Sequence, residues 1–283
     1  MSLKKLTESE ARIILHKGTE APFSGEFFEN NRAGKYFCKQ CSAELFLSSD
    51  QFDSGCGWPS FDDEISGSVK KIIDADGRRT EILCQKCDGH LGHIFRGEGF
   101  TTKDARYCVN SISLDFVEEK FDENFEKAFF AAGCFWGVEY FFKNAQGVKS
   151  ALSGYIGGTK ENPTYEEICT KTTGHLEAVE VIFDRRETDF ETLTKLFFEI
   201  HNPEQTDGQG PDKGPQYLSA IFYTNEEQKN IAEKLIKILE EKGMKIATKL
   251  LPAKKFWTAE LYHQSYYTKN GKMPYCHNRV KRF

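Results

Sequence analysis

The sequence lacks a long hydrophobic run and an excess of positive charge, and each absence excludes a class of protein. No segment approaches the roughly 20 apolar residues that a transmembrane helix needs, and residues 1–10 lack the apolar core of a signal peptide. We therefore expect a cytoplasmic protein without a membrane partner. With 38 basic and 43 acidic residues, the formal charge of −5 gives no electrostatic reason to expect a nucleic-acid partner.

The composition favours a globular protein with two domains. The chain has 283 residues, 39% of them hydrophobic and 13% aromatic, which is enough apolar surface to argue against disorder. Residues 117–127 are charged and contain neither proline nor glycine, and the pattern of the sequence changes there. We therefore predict one domain over residues 1–122 and a second over residues 123–283.

The first half is dominated by strand patterns. Thr7 and Glu10 have the spacing of a capping box and predict one opening helix. Short runs rich in β-branched and aromatic residues follow, separated by turn-forming clusters, at 35–38, 43–47, 69–73, 81–83 and 107–116. This pattern predicts a mainly-β, zinc-containing domain built as a curved sheet or sandwich.

The second half alternates strands with helices, which predicts an α/β two-layer sandwich. The predicted strands are 129–132, 151–156, 175–183, 217–223 and 246–251. Helices are predicted after Cys134, over 190–200, and from an N-cap at Thr224, with Glu227 three residues later, to Gly243.

Nine cysteines in a reducing compartment are more often metal ligands, catalytic thiols or buried side chains than disulfides. Two Cys-x-x-Cys pairs can supply the four thiolates of one structural zinc ion, namely Cys38, Cys41, Cys84 and Cys87. One alternative is a thioredoxin-like redox pair, although neither motif begins an evident βαβ unit. A second alternative, zinc ligation by His90 and His93, is rejected because it would leave two of these cysteines without a metal.

Cys134 is a candidate nucleophile because it stands between a predicted strand and a predicted helix. Unpaired backbone N–H groups at a helix N-terminus favour the thiolate, which is the reactive form. Phe135 and Trp136 would form an apolar pocket beside the thiol. The alternative is an inert cysteine in an aromatic core.

In the first half, Cys108 and Cys56 are the remaining thiols. If residues 106–116 form one strand, alternation places Arg106, Cys108 and Asn110 on the face that also carries Ile112, Leu114 and Phe116. Arg106 would then lower the pKa of Cys108, and a nearby histidine could hold a proton. Cys56 lies in a glycine-flanked loop, which suits a thiol that approaches another thiol.

Alternation in the strand 175–183 places Glu177 on the apolar face with Val179, Val181 and Phe183. Burial would raise the pKa of Glu177 and keep it protonated as an acid. The alternative is an exposed glutamate at the end of the strand. Turn-rich loops carry Tyr165, Asp212 and Tyr217, of which the tyrosines could equally be packing residues.

Taken together, the motifs of residues 6–116 resemble the methionine sulfoxide reductase B family. The motifs are the two Cys-x-x-Cys pairs, CGWPSF at 56–61, HLGH at 90–93 and RYCVN at 106–110. The resemblance implies that Cys108 attacks the substrate, that Cys56 resolves the product, and that Trp58 packs on the substrate methyl group. It implies that the sulfoxide oxygen is bound or protonated by His90, His93 and Asn110.

Residues 128–275 resemble the methionine sulfoxide reductase A family. The motifs are GCFWG at 133–137, GYIGG at 154–158, NPTY at 162–165, GHLEA at 174–178 and QY at 216–217. The resemblance implies that Cys134 is the nucleophile and Glu177 the acid. It implies that the methyl group is held by Phe135 and Trp136, and that the sulfoxide oxygen is surrounded by Tyr165, Asp212 and Tyr217.

Two further cysteines of the second half are assigned differently. Cys276 matches the first resolving cysteine of the A family, but residues 277–283 contain no counterpart of the tail cysteine that many relatives carry. Cys169 matches no functional position and is predicted to be buried.

Sulfoxide reduction needs a thiolate that attacks sulfur and an acid that protonates oxygen, and each half supplies both. Attack leaves a sulfenic acid, which a second thiol converts into a disulfide. We therefore predict a bifunctional oxidoreductase, without a redox cofactor, that repairs methionine sulfoxide in proteins or peptides. The resemblance assigns the R epimer to the first half and the S epimer to the second. The reductant would be a thioredoxin-type dithiol.

Two alternatives belong to other functional classes. A zinc-stabilised redox sensor or binding module would use its thiols without turnover, and steady dithiol-dependent turnover would exclude it. A zinc-containing nucleic-acid binder would need a basic face, and the acidic balance of charge argues against it.

Overall fold

The computed structural model describes residues 3–74 and 77–283. The chain divides into two compact units, one of Met1–Lys120 with Lys269–Gly271 and the other of Phe121–Thr268 with Lys272–Phe283. Within the described ranges, none of the helices has both the length and the apolar character needed to cross a membrane.

The first unit is mostly β, as predicted. Helix Glu8–Ile14 begins after the N-cap Thr7, and the predicted capping box with Glu10 is present. The strands are Gly34–Cys38, Glu44–Leu47, Gln51–Phe52, Ser60–Phe61, Val69–Ile73, Thr80–Cys84, His90–Arg96, Ala105–Val109 and Leu114–Glu118. One antiparallel sheet has the order Glu44–Leu47, Gly34–Cys38, Leu114–Glu118. The second has the order Gln51–Phe52, Ser60–Phe61, Ala105–Val109, His90–Arg96, Thr80–Cys84, Val69–Ile73.

The prediction of one strand over 106–116 is wrong. The strand ends at Val109, a 3₁₀ turn covers Ser111–Ser113, and the chain then enters the other sheet at Leu114. The carboxylate of Glu20 accepts hydrogen bonds from the backbone N–H groups of Ser111 and Ile112, which stabilises this turn. Ile112, Leu114 and Phe116 therefore do not continue the face that carries Cys108.

Gly92 allows two neighbouring strands to approach each other beside Cys108. Its φ is +154°, and a Cβ atom there would lie 2.0 Å from the backbone oxygen of Cys108. A side chain would therefore push strand His90–Arg96 away from strand Ala105–Val109. Glycine at this position maintains the pairing that places His93 opposite Cys108.

The second unit is an α/β domain, as predicted. Its strands are Phe125–Ala132, Val148–Ile156, Leu176–Asp184, Gly208–Gln209, Asp212–Lys213, Ser219–Tyr223, Lys249–Pro252 and Trp257–Thr258. Its helices are Phe135–Lys143, Tyr165–Cys169, Phe190–Ile200, Glu226–Glu241 and Tyr266–Asn270, with 3₁₀ turns at Pro215–Tyr217 and Leu261–His263. The main sheet has the order Lys249–Pro252, Ser219–Tyr223, Phe125–Ala132, Leu176–Asp184, Val148–Ile156, Trp257–Thr258.

Local signals predict the helices of this unit well. Helix Phe190–Ile200 has the predicted bounds. The long helix begins one residue later than predicted, because Asn225, and not Thr224, accepts the capping hydrogen bond, which the backbone N–H of Gln228 donates. Both residue types favour the N-cap position, so sequence spacing alone does not distinguish them.

Alternation along strand Phe125–Ala132 divides the core of the second unit between the two faces of its sheet. Ala128, Phe130 and Ala132 belong to the larger cluster, which also includes residues of the three longest helices. Phe129 and Ala131 belong to a smaller cluster on the other face. The ring of Phe130 stacks on aromatic residues of two helices, which are Phe142, Phe190 and Phe197. This packing holds the end of the strand in place, and with it Gly133, the residue that follows the strand.

Two candidate thiol sites

Cys134 is the N-cap of helix Phe135–Lys143 and directly follows the buried strand that ends at Ala132, as predicted. Gly133 makes this sharp connection possible. Its φ is +89°, and a Cβ atom there would lie 2.4 Å from Cβ of Gln209. The Cys134 thiol is half-buried rather than inert in the core.

The structure brings Cys134 together with two residues distant in sequence. The Sγ atoms of Cys134 and Cys276 and a carboxylate oxygen of Asp212 all lie within 4.8 Å of one another. A hydrogen bond between the two thiols raises the pKa of Cys134 and lowers that of Cys276, and burial raises the pKa of Cys134 further. The N–H of Trp136 at the helix N-terminus acts in the predicted direction, but the first two effects outweigh it. The hydrogen bond therefore makes Cys276 the more acidic thiol of the pair.

Glu177 is only 2% exposed and lies on the apolar face, as predicted. Its Oε2 accepts a hydrogen bond of 3.1 Å from the backbone N–H of Phe135, the residue after the thiol. Burial raises the pKa of Glu177 well above its ordinary value, and Cys134 raises it further when it is ionised. The shift favours the protonated carboxyl group, which is the form that can donate a proton.

Tyr165 and Tyr217 are half-buried near this acid. Burial raises the pKa of both phenols, and Glu177 raises it further when it is ionised, so both hydroxyl groups keep their protons at neutral pH. Glu260, which the sequence analysis missed, accepts hydrogen bonds from the Tyr165 backbone N–H at 2.7 Å and from the Tyr155 hydroxyl at 2.9 Å. It therefore holds the start of helix Tyr165–Cys169.

An aromatic wall lies beside the thiol. Phe135 is buried, whereas Trp136 is half-buried and stacks on Tyr266 with ring centroids 3.7 Å apart. His263, also missed by the sequence analysis, accepts a 3.0 Å hydrogen bond at Nδ1 from Trp136 Nε1 and packs against Phe135. Burial lowers the pKa of His263 to about 4, so its ring is neutral.

The prediction that Cys169 is buried is wrong. Cys169 is the last residue of its short helix, and its side chain is exposed. Its apolar neighbour Ile168 occupies the core position instead.

In the first unit, Cys56 and Cys108 are in contact, with their Sγ atoms 3.9 Å apart. Cys108 lies on strand Ala105–Val109, whereas Cys56 lies in the loop before strand Ser60–Phe61 and accepts a 3.0 Å hydrogen bond from Ser54 Oγ. The hydrogen bond between the thiols, assisted by the serine hydroxyls, lowers the pKa of Cys56 to about 4. The same hydrogen bond, followed by burial, raises the pKa of Cys108.

Arg106 contributes less to Cys108 than predicted. Its guanidinium donates to the two carboxylate oxygens of Glu98 at 2.7 and 2.9 Å and lies over the ring of Phe95. Its charge lowers the pKa of Cys108, but the hydrogen bond from Cys56 and burial outweigh it.

The other predicted site residues of the first unit are held by neighbouring groups. His90 is 3% exposed and donates from Nδ1 to Glu81 at 2.7 Å, and burial lowers its pKa, so Nε2 is free to accept a proton. His93 donates to Asp74 at 3.2 Å.

Asn110 and Trp58 both contact the backbone of Glu20, a residue that the sequence analysis missed. Asn110 Oδ1 accepts from the Glu20 N–H at 3.0 Å, and its amide nitrogen donates to the Leu91 oxygen at 3.1 Å. Trp58 is half-buried and donates from Nε1 to the Glu20 oxygen at 3.2 Å. Glu20 has no distinctive sequence context, because its role depends on a turn 91 residues away.

A separate four-thiol cluster fits a zinc ion. The Sγ atoms of Cys38, Cys41, Cys84 and Cys87 all lie within 4.8 Å of one another. Two of the Sγ–Sγ distances are 3.6 Å, from Cys38 to Cys87, and 3.5 Å, from Cys41 to Cys84. Tetrahedral zinc with bonds of about 2.3 Å requires sulfurs about 3.8 Å apart. The donor set and its spacing are therefore compatible with zinc.

Both halves of the chain match known families. Residues 6–118 match the SelR domain, and residues 126–283 match the peptide methionine sulfoxide reductase family. The chain is 50% identical over 152 residues to the peptide methionine sulfoxide reductase MsrA of Pasteurella multocida, covering 53% of this chain and 87% of that protein. For MsrA of Thermus thermophilus the identity is 49%, over 53% of this chain and 86% of that protein.

A solved structure is similar to the second half. It is the crystal structure of Mxr1 from Saccharomyces cerevisiae in reduced form, which is 31% identical, with a TM-score of 0.53. The match covers 58% of this chain and 96% of that one.

Mild oxidation with diamide is expected to form two disulfides, Cys56–Cys108 and Cys134–Cys276, because in each pair the sulfurs are already within 4.8 Å. Peptide mapping by mass spectrometry after alkylation identifies the linked pairs. Exposed Cys169 is the internal control and should be alkylated before and after oxidation. A disulfide that joins Cys169 to either site would contradict the pairing.

Proposed function

Because the chain belongs to the peptide methionine sulfoxide reductase family and carries a SelR domain ahead of that match, we propose that two separate thiol centres reduce methionine sulfoxide to methionine. We assign the R epimer to the domain of residues 1–122 and the S epimer to the domain of residues 123–283. The observation that carries this proposal is that each unit holds its candidate nucleophile against a second thiol.

In the second unit, Cys134 passes its proton to Cys276, with which it shares a hydrogen bond, and its sulfur attacks the sulfoxide sulfur while Glu177 donates a proton to the oxygen. The hydroxyl groups of Tyr165 and Tyr217, with Asp212, surround that oxygen. Phe135 and Trp136 hold the methyl group. Methionine leaves, and the oxygen remains on Cys134 as a sulfenic acid. Buried Glu177 supports the acid role, because an ordinary glutamate is ionised at neutral pH.

The remaining steps regenerate the thiols. Cys276 attacks the sulfenic acid, a disulfide forms and water leaves. A protein dithiol of the thioredoxin type then reduces the disulfide by exchange. The substrate is oxidised protein or peptide, and the compartment that we propose is the reducing cytoplasm, where thiols are kept reduced.

In the first unit, Cys108 is the nucleophile and Cys56 resolves its sulfenic acid. His90, His93 and Asn110 bind or protonate the sulfoxide oxygen, and the half-buried ring of Trp58 receives the methyl group. The contact between strand and loop thiols supports these roles. We also propose that the first domain forms a curved sheet or sandwich and that the second forms a two-layer α/β sandwich.

Separate epimers of a peptide methionine sulfoxide distinguish the two centres. With dithiothreitol as reductant, Cys108→Ser is expected to lose reduction of the R epimer, and Cys134→Ser reduction of the S epimer, because serine is not a nucleophile at sulfoxide sulfur. Each variant is the other's control for folding. Wild-type protein that reduces neither epimer would refute the proposal.

We propose that the four-cysteine cluster holds one structural zinc ion, which would tie strand ends Cys38 and Cys84 together. Cys41→Ser is expected to lose the metal and to lower the free energy of unfolding of the first unit by about 4–5 kcal/mol or more, as loss of a structural metal does. Atomic emission and thermal unfolding provide the measurements. Cys169→Ser, the matched control, should keep one zinc per chain.

Glu177 gives the S-epimer reaction a distinctive pH dependence. Its acid form is required, and its raised pKa extends that form above the usual glutamate range, so the rate should fall as pH rises through this pKa. Glu177→Gln keeps the acceptor for the Phe135 N–H but lacks the proton, and should lower the rate by about 10²- to 10⁴-fold and remove this dependence. Glu180→Gln, on the same strand but paired with Lys127, is the control. An unchanged profile in Glu177→Gln would exclude Glu177 as the acid.

A further inference from the structure

His277, the residue after Cys276, is a buried histidine that the proposed chemistry leaves without a role. It is 2% exposed, and its Nδ1 lies 3.0 Å from Cys276 Sγ. Its Nε2 lies 2.7 Å from the backbone oxygen of Ala132, on the strand that leads to Cys134. Gly137 leaves room for the ring, since a Cβ atom there would lie 2.2 Å from His277 Nδ1.

These contacts assign the tautomer of the ring. A carbonyl oxygen only accepts, so Nε2 carries the proton that it donates to Ala132. In the neutral ring Nδ1 then has a free lone pair, and it faces the Cys276 thiol. Burial lowers the pKa of His277, which keeps the ring neutral and able to accept a proton.

We propose that His277 is the general base that activates Cys276 for disulfide formation. This inference rests on the proposed function. Nδ1 takes the Cys276 proton while the sulfur bonds to Cys134 sulfur and the S–O bond of the sulfenic acid breaks. The departing oxygen leaves with the electron pair of that bond and takes the proton from Nδ1, so water is formed. Cys276 is oxidised, and the sulfenic acid of Cys134 is reduced to the disulfide.

The base is needed because the first half-reaction removes the group that activates Cys276 in the reduced protein. There, the hydrogen bond from the Cys134 thiol lowers the pKa of Cys276. Once Cys134 is a sulfenic acid, that S–H group no longer exists. His277 remains in contact with Cys276 in both states, because its tether to Ala132 does not involve either sulfur.

Asp212 is the competing base, since one of its oxygens lies within 4.8 Å of Cys276 Sγ. Its Oδ2 has no hydrogen-bond partner within residues 3–74 and 77–283. Burial raises the pKa of Asp212, while His277 and a hydrogen bond with Cys276 act in the opposite direction, so Asp212→Asn is needed to distinguish the two bases. The charged and titratable groups that act on the imidazole are Asp212, Cys276 and His201.

A single turnover of the full chain separates the two steps. Reduced protein is mixed with the S epimer of a peptide methionine sulfoxide without dithiol, and samples are quenched with dimedone and iodoacetamide. Methionine reports the first step, and the dimedone adduct of Cys134 and the Cys134–Cys276 disulfide report the second. In wild type, disulfide formation should keep pace with methionine formation.

His277→Gln retains a donor for Ala132 but provides no base. We expect disulfide formation at pH 7 to slow by about 10²-fold or more relative to methionine formation, so that the Cys134 adduct accumulates. The disulfide rate should then rise about tenfold per pH unit as Cys276 ionises without help. His277→Asn places an amide oxygen near the thiol and should show the same slow disulfide formation as His277→Gln. It replaces the glutamine variant if that variant does not fold.

The controls distinguish a base from a structural residue. His175→Gln removes another buried histidine bonded to the backbone and should keep the wild-type ratio of the two rates. Three outcomes would overturn the inference. Disulfide formation could stay fast in both His277 variants, or it could be slow in them without recovering at high pH. It could also be lost in Asp212→Asn instead of in the His277 variants. Wild type that forms no methionine would overturn the proposed function together with it.

Discussion

Both thiol sites depend on one constraint, which is that two sulfur atoms must lie close enough to bond while remaining free thiols. In the first unit a strand residue, Cys108, meets a loop residue, Cys56, at 3.9 Å. In the second, a helix N-cap, Cys134, meets Cys276 within 4.8 Å. In each pair the hydrogen bond between the thiols lowers the pKa of one sulfur and raises that of the other. The nearby groups determine how the proton of that hydrogen bond moves.

Burial serves different purposes around these pairs. It raises the pKa of Glu177, which favours the protonated carboxyl group, and it lowers the pKa of His277 and His90, which favours the neutral imidazole. The same desolvation acts in opposite directions because a carboxyl group is neutral when protonated and an imidazole is charged. The backbone N–H of Phe135 donates to Glu177, His277 donates to Ala132, and His90 donates to Glu81. These hydrogen bonds determine which atom of each side chain remains available for proton transfer.

The cysteines of the first unit serve two different chemical purposes, and their geometry separates them. Four sulfurs that are mutually within 4.8 Å suit a tetrahedral ion, whereas two sulfurs in contact suit a disulfide. The four-sulfur cluster lies at strand ends, where a bound ion would stabilise the sheets. The reactive pair lies beside Gly92, whose missing side chain allows the strands to approach. Under the proposed function, stability and reactivity depend on separate thiols.

Local pattern determined much of this protein from the sequence alone. Cap residues determined helix Glu8–Ile14, and alternation placed Glu177 on the buried face. Tertiary structure decided features that local pattern does not contain. Two of these are the turn that ends the strand at Val109 and the exposure of Cys169. The others are the contacts made by Glu20, Glu260, His263 and His277. The physical reason is separation along the chain, since His277 reaches Ala132 across 145 residues and such a pairing leaves no periodic signal in either segment.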